Sequence, residues 1–82
     1  MIMVIHAHYF QEVQAMERNE AIRTAMTQGY TVRFICRNPK TWAVIRFFGD
    51  YEDEVFTGKD IDSCLDNMEE IGYQIAEEML GI

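Results

Sequence analysis

The final third of the chain carries the clearest alternation of apolar and polar positions. Ile61, Cys64, Leu65, Met68, Ile71, Gly72, Ile75 and Met79 recur at three- and four-residue steps. That spacing predicts one wide apolar face on a helix of about twenty residues. Thr57-Gly-Lys-Asp60 supplies the start, with Thr57 or Asp60 as the capping residue. Gly81 follows as a terminator.

Upstream, the period drops to two. Tyr30, Val32, Phe34 and Cys36 share one strand face, and Thr31, Arg33, Ile35 and Arg37 share the other. Asn38-Pro-Lys-Thr41 is turn chemistry, and Trp42 to Phe48 reads as the returning strand. With those four residues as the loop, Phe34 faces Ile45 and Val32 faces Phe47 on an apolar side. The other side then pairs Arg37 with Trp42, Ile35 with Val44, and Arg33 with Arg46. Two opposed arginines are unfavourable unless an acid joins them. Gly49-Asp50 fits a two-residue turn into a third strand, Tyr51 to Thr57, with Asp53 beside Arg46, Val55 beside Val44 and Glu54 opposite Ile45.

Towards the N-terminus, Asn19 to Gln28 reads as a helix ending at Gly29, with Ile22, Ala25 and Met26 inward. Tyr9, Phe10, Val13 and Met16 form a second helical stripe, rotated by roughly 150° from the first. Either the helix breaks near Arg18-Asn19 or one long helix is buried on two sides. Residues 2–8 alternate weakly, as a short edge strand or a frayed helix start. The fold class is therefore α+β. A small antiparallel sheet, a two- to three-stranded meander, packs with an N-terminal helical segment and a long C-terminal amphipathic helix.

Length makes this a single domain, residues 1–82. The apolar fraction of 49% is too high for a disordered chain. The longest apolar run, Met1 to Ile5, is far short of a bilayer span, and no signal-peptide pattern accompanies it. No membrane partner and a cytoplasmic location are expected. Cys36 and Cys64 are expected as buried thiols of a reducing compartment, with no disulfide framework.

Charge changes the picture more than composition does. Seven basic residues against fourteen acidic ones give −7. Residues 1–48 balance at +3 and residues 49–82 at −10. Such segregation speaks of steering and solubility rather than of fold, and makes direct nucleic-acid binding an unfavoured function. A protein with a basic, nucleic-acid-binding surface suits the acidic half better.

Little here spells catalysis. His6-Ala-His8 with Glu12 is the one metal-like spacing, short of the three or four supported ligands that zinc takes. Cys64 falls on an apolar helix face, Ser63 has no neighbouring His, and the five glycines are scattered singly, so no phosphate loop exists. No enzyme, cofactor or metal is expected. The feature that stands out is a stripe on the last helix. Asp62, Asp66, Glu69, Glu70 and Glu77, with Tyr73 among them, fall within about 100° of one another opposite the apolar face. Asp50, Glu52, Asp53 and Glu54 extend it. The same acids would also serve as a merely solvated helix face. A second candidate interface is the outer hairpin side, where Trp42 joins Arg33, Arg37 and Arg46; Trp and Arg are enriched at binding hot spots. The N-terminal helical segment covering that side is the alternative.

With the acidic helix and the small meander in place, the chain resembles the small acidic proteins that phages encode against host defence, anti-CRISPR proteins among them. The resemblance lies in size, charge and single-domain build, and Asp62, Asp66, Glu69, Glu70 and Glu77 suggest it. It implies a non-enzymatic inhibitor that blocks a basic nucleic-acid-binding surface of a defence complex, in the host cytoplasm. A small structural or regulatory subunit, associating through Trp42 as monomer or homodimer, is the alternative.

Overall fold

A computed structural model of the chain describes residues 15–81. The elements run α1 (Arg18–Thr27), β1 (Tyr30–Ile35), β2 (Thr41–Phe48), β3 (Tyr51–Gly58) and α2 (Ile61–Leu80). The three strands form an antiparallel meander in the order β1-β2-β3. This is the α+β class that the alternation of periods predicts. The expectations for residues 2–8, for Tyr9, Phe10 and Val13, and for His6, His8 and Glu12 lie outside the described residues.

α2 forms where the three- and four-residue repeat demands it. Of the two candidate caps, Asp60 serves: its carboxylate accepts from the Ser63 N–H at 2.8 Å, while Thr57 belongs to β3. Gly81, in the left-handed conformation, closes the helix. α1 has ten residues and no side-chain cap, fewer than an isolated helix needs for stability. Its existence therefore depends on packing. Ala21 and Ala25 are fully buried against α2, where Gly72 and Ala76 are buried in turn. Small residues on both sides let the two backbones approach closely. The helices run in the same direction: Arg18 meets Asp66, Ala21 meets Gly72, and Thr27 shares a cleft with Met79. Gly29, at φ +90°, turns the chain out of α1 and accepts from the Phe47 N–H at 2.9 Å, which starts the β1–β2 pairing.

The register of the first hairpin differs from the expected one. The loop is five residues, Cys36 to Lys40, so Val32 pairs with Val44, Phe34 with Trp42, Arg33 with Ala43 and Tyr30 with Arg46. The offset from the expected pairing is three residues. An odd offset exchanges the faces of one strand relative to the other. The observed register gathers Tyr30, Val32, Trp42, Val44 and Phe56 against Met68, Cys64 and Ala25 in one core. It also places Arg33 and Arg46 on opposite faces, which removes the unfavourable arginine pair.

The second hairpin keeps the expected pairings of Arg46 with Asp53 and Ile45 with Glu54, then slips at a β-bulge. Val55 is the extra residue, and Phe56, not Val55, pairs with Val44. Three residues expected inward are exposed: Met26 at 55%, Ile61 at 42% and Met79 at 77%. Each lies near a helix end, beyond the reach of the short sheet or of the neighbouring helix. Cys36, expected as buried, is exposed because it lies in the loop after β1; Cys64 is buried.

Candidate functional site

The acidic stripe of α2 is positioned by packing on two sides of that helix. The row Cys64, Met68, Gly72 and Ala76 is buried between the sheet and α1. Asp62, Asp66 and Glu70 are exposed on the far side, and Glu69, Tyr73 and Glu77 are half-buried along its flank. The helix contains six acids, Glu78 being the sixth, and no basic residue across its twenty positions.

That stripe is not wholly opposite the packed surface, as its sequence pattern implies. α1 approaches one edge of it. The Arg18 guanidinium lies 3.0 Å from Asp66, and the Tyr73 hydroxyl donates to the Met16 carbonyl at 2.7 Å. Asp66 and Tyr73 therefore have structural partners. Asp62, Glu69, Glu70 and Glu77 form no ion pair among the described residues.

The acids of β3 do not continue the stripe. Glu52 and Glu54 pair with Phe47 and Ile45, on the sheet face turned away from the helices. There the two remaining arginines of the first hairpin meet them. Arg33 bonds Glu52 at 3.3 Å, and Arg37 grips both oxygens of Glu54. The Glu54 hydrogen bond, and then its charge, raise the Arg37 pKa above the ordinary value. The two pairs reach over β2, where Ile45 is only 3% exposed and shares a cleft with them. Their aliphatic stems line the cleft beside it. Such exposed pairs contribute little each, typically about 0–1 kcal/mol. Asp53 is exposed on the helix-facing side across from Arg46, and Asp50 is exposed in the β2–β3 turn.

The second candidate surface is divided by the observed register. Trp42 and Arg46 lie on the helix-facing side, and Arg33 and Arg37 on the other. Trp42 is half-buried, edge-on to Phe34 at 5.1 Å between centroids, and packs on the core cluster. Arg37 does not stack on it. Arg46 lies 3.9 Å from the Phe48 ring centroid and 5.3 Å from that of Tyr30. A signal for the Arg33–Glu52 and Arg37–Glu54 pairs existed in the sequence: two arginines in and just after β1, and two glutamates at alternate positions of β3. Reading it required the correct loop length.

Among the described residues no group of three or more His, Cys, Asp or Glu is placed to hold a metal ion, and no helix is long and apolar enough to cross a membrane. Cys64 is desolvated, which raises its thiol pKa despite an opposing backbone hydrogen bond at Gly58; the nearby Asp60 charge adds to the rise. A thiol so placed is a poor nucleophile. No protein-family model, curated protein or solved structure matches the chain.

Proposed function

We propose that the protein acts by binding another protein, with the α2 carboxylates that form no ion pair among the described residues set against a basic surface that otherwise holds a nucleic-acid backbone. The observation that carries this reading is the composition of one exposed helix. It has six acids and no basic residue, and Arg18 is paired with only one of them. Asp62 to Glu77 spans ~22 Å of helix axis at 1.5 Å per residue. Carboxylates along that length would compete for Lys and Arg side chains by charge and by bulk. Asp62, Glu69, Glu70 and Glu77 carry the contact. Asp66, Tyr73, Glu52 and Glu54 have structural work inside the fold, so their share in binding is smaller. The resemblance to phage-encoded inhibitors would make the target a host-defence complex.

Salt and charge reversal test the proposal together. Proteins from a bacterial lysate captured on the immobilised chain at low salt should leave as salt rises, because screening shortens the reach of exposed charges. Asp62→Lys, Glu70→Lys and Glu77→Lys combined should abolish that capture in a chain whose circular dichroism is unchanged. Glu17→Lys, Glu20→Lys and Asp50→Lys combined change net charge equally and should leave capture largely intact. Equal loss in both triples would reduce the effect to net charge and defeat the proposal.

A further inference from the structure

The two outer strands of the sheet are built differently. β3 interrupts its own pairing with the bulge at Val55 and carries Glu52, Asp53 and Glu54 in succession. Bulges and charges are the devices that keep an edge strand from pairing with another chain. β1 relies on neither. Its register with β2 is continuous from Tyr30 to Ile35, without proline or bulge, and Arg33 is its one charged residue. That charge is matched within the chain by Glu52, at 3.3 Å.

One hydrogen bond fixes the direction of the backbone groups along β1. The Phe47 N–H donates to the Gly29 carbonyl, which makes Gly29 and Phe47 a hydrogen-bonded pair. Hydrogen-bonded and non-hydrogen-bonded pairs alternate along an antiparallel ladder. Thr31, Arg33 and Ile35 therefore bond to β2, whereas the N–H and C=O groups of Tyr30, Val32 and Phe34 point away from it. Among the described residues no side chain and no loop backbone bonds to those outward groups. The Phe34 side chain is also 42% exposed.

Self-complementarity identifies the occupant. If a second copy of β1 runs antiparallel to the first with Val32 on a two-fold axis, residues 30–34 overlap. Tyr30 then faces Phe34 twice on the helix side of the sheet, and Thr31 faces Arg33 twice on the other side. Aromatic cross-strand pairs of this kind are favourable. Moving the axis to Arg33 would set two arginines directly opposite each other, which is unfavourable. Moving it to Thr31 would leave only residues 30–32 overlapping. We propose that β1 is a dimerisation edge, at which two copies join their three-stranded sheets into one antiparallel sheet of six strands with Val32 at its centre. A contact of this length is small, so the dimer is reversible and depends on concentration. It goes beyond the α2 surface and does not depend on it.

Sedimentation equilibrium of the full chain should show monomer and dimer in exchange. Phe34→Pro keeps every β1–β2 ladder bond, because the Phe34 N–H points outward, yet it removes two donors from the dimer; that chain should be monomeric at every concentration. Substitutions at Thr31 test the register. Thr31→Lys sets a lysine opposite Arg33 of the second copy twice and should weaken the dimer about tenfold, whereas Thr31→Glu should tighten it about fivefold. Net charge alone predicts the reverse order, since the lysine variant is the less negative chain. In a mixture of labelled and unlabelled chains, isotope-filtered nuclear Overhauser contacts should join Thr31 Hα of one copy to Arg33 Hα of the other. A chain that stays monomeric at its highest soluble concentration overturns the proposal. So does a dimer that survives Phe34→Pro, or one in which Thr31→Lys is the tighter variant. Overhauser contacts from residues 1–14 to the Val32 and Phe34 amides would show the edge already filled within one chain and overturn it as well.

Discussion

Gly72→Ala sets two physical effects against each other, and the structure decides which wins. Alanine is the better helix former by about 1 kcal/mol, so at an exposed helix interior the change would stabilise. At Gly72 an added Cβ would lie 1.8 Å from the Ala21 carbonyl oxygen, 2.4 Å from its carbon and 2.9 Å from its Cα. Ordinary contact begins near 3.4 Å, so α1 would have to withdraw by about 1.6 Å. The obstacle is backbone, with no flexible side chain to give way. Withdrawal unseats Ala21 and Ala25 and stretches both the Arg18–Asp66 pair and the Tyr73–Met16 hydrogen bond.

Overpacking of this kind costs ~3 kcal/mol, the upper end of the usual range, because backbone must move. Set against the propensity gain, a net loss of about 2 kcal/mol remains. For a domain of this size that is a fall in Tm of roughly 8–16 °C. Thermal and urea unfolding followed by circular dichroism would measure it, with Gln74→Ala, exposed two residues further along, as a control expected within about 0.5 kcal/mol of the parent. A Gly72→Ala chain as stable as the parent, or more so, would mean that helix propensity acts alone and that α1 does not lie against α2 as described.

Two further outcomes follow from the N-terminus of α2. The Ser63 backbone and hydroxyl hydrogen bonds hold the Asp60 carboxyl below its ordinary value of 3.8. Its contribution to stability is therefore complete above the unfolded value and disappears as pH falls through the folded one. Asp60→Asn, an equally good cap that cannot titrate, should match the parent at neutral pH and lose less stability on acidification in urea titrations from pH 5 to pH 2; parallel losses would reject the cap's role. In thiol labelling of the native chain, Cys36 should react quickly and Cys64 only as the protein unfolds, so two fast thiols would contradict the burial of Cys64.

Legibility in the sequence tracked how local each signal was. The span of α2 was readable because its repeat, cap and terminator all lie within one segment of chain. The β2–β3 turn was readable for the same reason, and with it the Arg46–Asp53 pairing. The first hairpin was misread because register there depends on one integer, the loop length, which the turn chemistry of Asn38 to Thr41 left ambiguous. Everything downstream of that integer moved with it: the face of Trp42, the separation of Arg33 from Arg46, and the neutralisation of Glu52 and Glu54. The bulge at Val55 left no local mark, since Val suits a paired strand position as well as an unpaired one. Met26, Ile61 and Met79 fit the apolar periodicity of their helices, but periodicity does not report where the covering element ends.

The placement of Arg18 bears on whether the acidic helix is a surface for others or only a solvated face. Asp66 is four residues from both Asp62 and Glu70 and three from Glu69, so more like-charge neighbours converge on it than on any other acid of α2. Each such pair costs about 0.2–0.5 kcal/mol. A single guanidinium set at Asp66 relieves the helix where the strain is greatest and leaves Asp62, Glu70 and Glu77 without a described ion-pair partner. The sheet behaves differently: Glu52 and Glu54 are each matched by an arginine. Carboxylates kept only for solubility would lose nothing by being paired as those of β3 are. Leaving Asp62, Glu70 and Glu77 without such a partner among the described residues is what sets α2 apart from β3.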